Sequence, residues 1–180
     1  MDELTKAMRR QFEAAANLPP AERRAEVLQI LVTTAKEAFD LYADELAILL
    51  LSPDRVLLQF VYPPELARGN TFPVAVPSLA GHVVETGESL CDNTVREVPH
   101  LAFYERVPIL ASEPVNIQKL LAVALRGADG RPCGVIEVSR RGASLEEAGP
   151  DFGPEEQARL ERFGVEAGPI LEAAFLTEGA

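Results

Sequence analysis

The N-terminal third of the chain has a helical pattern of hydrophobic positions. Apolar side chains recur at steps of three and four residues, which places them on one face of a helix: Leu28, Leu31, Ala35, Ala38, Phe39 and Tyr42. This pattern predicts a long helix from about Ala21 to Tyr42. A separate helix is predicted over Asp2–Ala16, which contains strong helix formers and neither Gly nor Pro. Pro19 and Pro20 separate these two predicted helices, because proline cannot continue a helix.

After these helices, the pattern of hydrophobic residues becomes typical of strands. Glu45–Leu51 and Arg55–Tyr62 are short and apolar, and the turn sequence between them predicts a hairpin. Thr71–Val76 is a weaker extended segment, since Pro73 suits only an edge strand or a bulge. Lys119–Arg126 and Gly134–Arg140 flank an Asp-Gly turn and predict a second hairpin.

Two further helices are indicated. Ser78 can cap a short helix that ends at Gly87, and Ser89–Cys91 then predicts a strand. The second helix, over Pro154–Leu176, has one apolar face: Leu160, Phe163, Ala167, Ile170, Leu171 and Ala174. Helices at both ends of an antiparallel sheet predict an α+β sandwich.

Composition and charge exclude several classes of function. The chain has 180 residues, and 17 Lys and Arg against 28 Asp and Glu give a net charge of −11. This acidic balance opposes binding to nucleic acid and to anionic membranes. No apolar run could span a bilayer and the N-terminus is not a signal peptide, so we expect a cytoplasmic protein. Two His and two Cys without zinc spacing predict no metal site.

Several weak motifs occur in a fairly specific order. They are Leu79–Gly87, Leu90–Glu97, Leu120–Leu125, Cys133–Val138 and Phe152–Glu156. In this order they resemble the GAF domain family, whose fold is related to that of PAS domains. The resemblance covers roughly Glu22–Ala174.

The resemblance implies an antiparallel sheet of about six strands. Long terminal helices would cover one face, and short helices and loops would close a small-molecule pocket on the other. The expected domains are residues 1–20 as an N-terminal helical extension, residues 21–176 as the GAF-like domain, and residues 177–180 as a tail.

For this chain, the resemblance implies a bacterial-type sensory or signalling role without catalysis. The ligand is unassigned, and we expect a homodimer formed through the terminal helices. Since only Thr177–Ala180 follow the last helix, the signal would pass to a separate output protein, or the chain is part of a larger one. The alternative is a ligand-free dimerisation or interaction scaffold whose pocket is filled by apolar side chains.

Five residues are candidates for ligand binding, because they lie on the short helix or in the segment expected to roof the pocket: His82, Asn93, Thr94, His100 and Tyr104. His82 is the best near-neutral proton switch in the chain. The alternative is that His82 only packs at a helix surface and that the others only cap loops.

The cyclic-nucleotide signature of some family members is largely absent. Its Asn-Lys, Phe and Asp-Glu positions look like Ser139 and Arg140, Phe152, and Glu156 and Gln157, and Phe152 alone matches. These departures argue against a cyclic nucleotide. Arg140 and Glu156 retain opposite charges, so we expect a structural ion pair that braces the last strand against the C-terminal helix.

A thiol enzyme is the remaining alternative. Related domains in free methionine sulfoxide reductases use cysteine, but their local cysteine pattern is absent here. A cysteine on a strand is usually a small buried hydrophobic residue. We therefore expect both Cys91 and Cys133 to be buried, and we expect no catalysis.

Overall fold

The structure is a computed structural model that describes residues 3–95 and 116–176. Two of the candidate residues, His100 and Tyr104, lie outside the described residues. The elements are α1 (Glu3–Ala15), α2 (Pro20–Phe39), β1 (Leu46–Leu51), β2 (Leu57–Tyr62), α3 (Pro64–Ala67), β3 (Thr71–Pro73), α4 (Leu79–Thr86), β4 (Leu90–Asp92), β5 (Ile117–Arg126), β6 (Pro132–Arg141) and α5 (Pro154–Phe175).

The strands form one sheet in the order β3-β2-β1-β6-β5-β4. Every neighbouring pair is antiparallel. The α+β fold with a six-stranded antiparallel sheet is therefore confirmed. β6 lies between β1 and β5, so the two hairpins that the sequence predicts meet at this strand.

One face of the sheet, called here the helical face, is covered by the terminal helices. Strand residues such as Ile48, Val123 and Ile136 pack there against buried residues of α2 and α5. α1 belongs to the same core, because Met8 and Phe12 are buried in it. The three helices and the sheet thus share one hydrophobic cluster.

The opposite face, called here the second face, has its own core. Val83 and Val84 of α4 pack there with Leu49, Phe60 and other strand residues. Ser78 caps α4, since its hydroxyl accepts a hydrogen bond from the Gly81 backbone N–H at 3.0 Å. Gly87 ends the helix with φ +70°, a conformation in which glycine avoids the strain of a side chain.

Some local elements differ from the predictions. The short helix α3 was not predicted, since the sequence pattern indicated only strands in this part of the chain. Pro64 instead occupies the first turn of α3, where a missing N–H leaves no hydrogen bond unmade. The segment Thr71–Val76 was predicted to be extended. Only its first three residues, Thr71–Pro73, pair with β2 as a strand.

In the described part of the chain, no helix is long and apolar enough to cross a membrane.

α5 lies unusually close to β5. A Cβ built on Gly164 would sit 2.6 Å from the carbonyl oxygen of Ala124, and one built on Gly168 would lie closer still to that of Arg126. Both obstacles are backbone atoms, which cannot rotate away as a side chain could. The absence of side chains at these two positions therefore sets the distance between helix and sheet.

This contact predicts the effect of Gly168→Ala. Alanine favours a helix by about 1 kcal/mol over glycine, yet we expect a net loss of about 2 kcal/mol because α5 must move away from β5. Urea denaturation measures the change. Val165→Ala on the exposed side of the same helix is the control and should stay within about 0.5 kcal/mol. An alanine variant as stable as the wild type would contradict the close contact.

Candidate functional site

Phe152, just before α5, contacts residues at the ends of β4 and β6 and lies beside the first turn of α5. Arg140 at the end of β6 places its guanidinium 4.3 Å from the centre of the Phe152 ring. The same guanidinium pairs with Glu156 of α5, with Nη2 2.5 Å from Oε1. The other carboxylate oxygen of Glu156 accepts a hydrogen bond from the Gly153 N–H at 3.1 Å. Arg140 and Glu156 thus tie β6 to the first turn of α5.

Asn93 and Thr94 follow β4 and make local hydrogen bonds. The Asn93 Oδ1 accepts from the Phe152 N–H at 2.9 Å, and its Nδ2 donates to the Phe152 carbonyl at 3.2 Å. The Thr94 N–H donates to Asp92 Oδ1 at 2.7 Å. These bonds match the loop-capping interpretation, and ligand binding by either residue stays a prediction.

His82 lies on the exposed side of α4. It lines a shallow groove of about 450 Å³ between the segment Val74–Leu79 and the side chains of Glu85 and Leu90. The structure therefore separates His82 from the Phe152 contacts rather than joining all candidates in one site. Its role as a ligand contact stays a prediction.

Two polar residues of β6 lie on the second face. Glu137 and Ser139 alternate with Ile136 and Val138, which belong to the helical face. Glu137 is 6 % exposed and Ser139 is fully buried. Among the described residues, neither the Ser139 hydroxyl nor the Glu137 carboxyl has a hydrogen-bond or ion-pair partner.

Glu137 lies between two small side chains. In the register of the sheet it faces Ala47 of β1 on one side and Ala122 of β5 on the other. Burial alone raises the pKa of the Glu137 carboxyl from 4.5 to about 7. Both its charged and its neutral form are therefore populated near neutral pH.

Glu137 is not among the site residues predicted from the sequence. A signal was present, because this carboxylate occupies the middle of the apolar run Val135–Val138. Its position between alanines depends on the pairing of three strands, which the sequence does not show. Among the described residues, no group of three or more His, Cys, Asp or Glu could hold a metal ion.

The expectation that Cys91 is buried is wrong. β4 is a three-residue strand at the edge of the sheet, and Cys91 is exposed there. Its sulfur nevertheless faces the Phe152 carbonyl at 3.7 Å. Partial burial of the thiol, followed by the charges of nearby carboxylates such as Asp92, raises the pKa of Cys91. A raised pKa opposes formation of the nucleophilic thiolate.

Cys133 is buried on the helical face, as expected. Burial raises the pKa of its thiol to about 12.

Glu137→Gln should change how stability depends on pH. The raised folded pKa means that the folded state holds the proton more tightly, so the contribution to stability is full below pH 4.5 and is lost between pH 4.5 and about 7. Relative to Glu137→Gln, the wild type should lose about 3 kcal/mol of unfolding free energy across this interval. Denaturation at pH 4 and pH 8 measures it. Glu155→Gln, at an exposed carboxylate, is the control, and a pH-independent difference for Glu137→Gln would contradict the burial of this group.

The two thiols should differ in their reaction with iodoacetamide. Cys91 is accessible but weakly ionised, so its labelling should be slow at pH 7 and rise about tenfold per pH unit below its pKa. Cys133 should react only after unfolding. Mass spectrometry of the labelled wild type and of Cys91→Ser measures both rates. Labelling of Cys91 at pH 7 faster than that of glutathione would support the thiol-enzyme alternative.

Comparisons with known proteins agree on the fold. No curated protein sequence matches the chain. Among solved structures, the chain is similar to residues 122 to 287 of a methyl-accepting chemotaxis protein, with a TM-score of 0.65 and 13 % identity over 99 % of this chain and 100 % of that one. The GAF domain of an Acinetobacter phosphoenolpyruvate-protein phosphotransferase gives a TM-score of 0.62 and 15 % identity over 97 % and 96 %.

An enzyme also shares the fold. The type II free methionine-R-sulfoxide reductase from Thermoplasma acidophilum gives a TM-score of 0.61 and 18 % identity, over 88 % of this chain and 99 % of that one. At these identities the likeness shows the fold alone. The profile of the GAF domain, however, matches residues 23–170. The chain therefore belongs to the GAF domain family.

Proposed function

We propose that this chain is a sensory domain that binds a small molecule on the second face of its sheet. The observation that carries the proposal is the pair Glu137 and Ser139, which are buried there without hydrogen-bond partners among the described residues. Burying such groups unpaired costs free energy, and a ligand that bonds to them would recover it. A pocket of this kind is mostly apolar with few placed polar groups.

The position of β6 supports transmission of binding to the terminal helices. Glu137 lies on the second face, while its chain neighbours Ile136 and Val138 pack into the core of the helical face. A shift of β6 on ligand binding would therefore move Ile136 and Val138 and change their packing against the terminal helices. GAF domains are typically sensory or regulatory, and the fold occurs in a methyl-accepting chemotaxis protein.

The proposal includes a homodimer formed through the terminal helices and a separate output protein. In its support, α1, α2 and α5 lie together on one face, and α5 leaves Val165 51 % exposed. The ligand-free scaffold requires apolar side chains to fill the second face. A buried carboxyl between two alanines does not fit that requirement.

Native mass spectrometry of the purified protein tests the proposal, since it reports subunit number and retained ligand together. We expect a dimer that carries a bound small molecule, either as isolated or after addition of a metabolite mixture. Ser139→Ala should reduce retention at least fivefold without lowering the melting temperature, because the hydroxyl it removes has no hydrogen-bond partner among the described residues.

Thr33→Ala is the matched control, because it removes an exposed hydroxyl from α2 on the other side of the molecule. It should retain the ligand at the level of the wild type. Equal retention by Ser139→Ala would place the ligand elsewhere. A strict monomer with no bound mass under all additions would overturn the proposal.

A further inference from the structure

We infer that the ligand is a small organic cation, whose ammonium or guanidinium group binds the carboxylate of Glu137 and whose remaining atoms lie over the neighbouring alanines. This inference rests on the proposed function, because it names the chemical class of ligand for the same face.

Small side chains flank Glu137 in the sheet. Ala47 and Ala122 are its cross-strand neighbours, and Ala124 lies one residue pair further along β5 on the same face. Side chains directly opposite each other in a sheet have Cβ atoms only about 5 Å apart. The alanines therefore place no large side chain of β1 or β5 directly beside the Glu137 carboxyl, although the carboxyl is buried.

The described cationic residues nearest to Glu137 along β5 and β6 already have partners. On β6, Arg140 pairs with Glu156, and Arg141 lies 3.6 Å from Asp44. On β5, the Lys119 Nζ is 2.6 Å from Asp151 Oδ1. None of these supplies a counter-ion to Glu137.

The other described elements around Glu137 supply no counter-ion either. β1 contains no titratable residue, and Arg126 at the end of β5 donates to the carbonyl oxygens of Gly87 and Gly130. α4 turns Leu79 and Val83 inward, while its titratable residues His82 and Glu85 are exposed. Burial is the sole cause of the raised pKa at Glu137.

An anionic ligand would be repelled by the ionised carboxyl, in a chain whose net charge is already −11. A cation compensates the buried charge and donates hydrogen bonds to both carboxylate oxygens. The Ser139 hydroxyl lies two residues along the same face, about 7 Å away at Cα, and can accept from a second donor of the ligand.

This chemistry predicts a pH profile for binding. The free carboxyl has a pKa of about 7, and a cation binds its ionised form. Affinity should therefore rise about tenfold per pH unit below pH 7 and level off above it. A neutral ligand that accepts a hydrogen bond from the protonated carboxyl would instead bind most tightly below pH 7 and lose affinity above it.

Titration of the full chain with four matched probes tests the inference. The probes are n-butylamine and methylguanidine as cations, n-butanol as the neutral analogue and butyrate as the anion. Binding is followed by NMR at pH 6, 7 and 8 for the wild type, Glu137→Gln and Glu155→Gln. The Gln variant keeps the size of the side chain and removes its charge, while Glu155 is an exposed carboxylate at the start of α5.

We expect at least one cation to bind the wild type and Glu155→Gln equally and Glu137→Gln at least tenfold more weakly, with the pH profile given above. Preference for butanol or butyrate, or equal binding of the cations by Glu137→Gln, would overturn the cation class while leaving a ligand site in place. Absence of binding by both cations would also overturn it. In that case a mass retained in native mass spectrometry would still support the proposed function.

Discussion

Burial of the sheet on both faces is the constraint on which the rest of this structure depends. All six residues of β1 are buried, as are nine of the ten in β5. Such strands cannot alternate between apolar and polar residues, so they read as continuous hydrophobic runs. Any polar side chain in them needs either a partner or a function, which is why Glu137 stands out in β6.

The two faces are covered in different ways. On the helical face, long helices pack against the sheet so closely that Gly164 and Gly168 have no room for a side chain. On the second face, the coverage includes the short helix α4, whose apolar side contacts β5 and β6. A helix of eight residues covers less area than one of twenty.

Contacts around Phe152 connect the sheet to the start of α5. The Arg140 guanidinium lies over the ring, while Asn93 binds the backbone of the same residue. β4, β6 and the start of α5 thus meet at one point. The sequence resemblance marked Phe152 as the matching position of a nucleotide signature, and in the structure the residue serves as a packing centre.

Local patterns in the sequence were enough to predict most of the helices and strands and their order along the chain. The hydrophobic periods, the Ser78 cap, the Gly87 stop and the Asp-Gly turn are local signals, and each acts within a few residues. Pairing between distant segments decided which residues became neighbours and which strands lay at the edges of the sheet. Cys91 is exposed because its strand lies at an edge, and Glu137 lies between alanines because β1 and β5 flank β6. Neither relation is written in a local pattern, since it depends on which strands become neighbours when the chain folds.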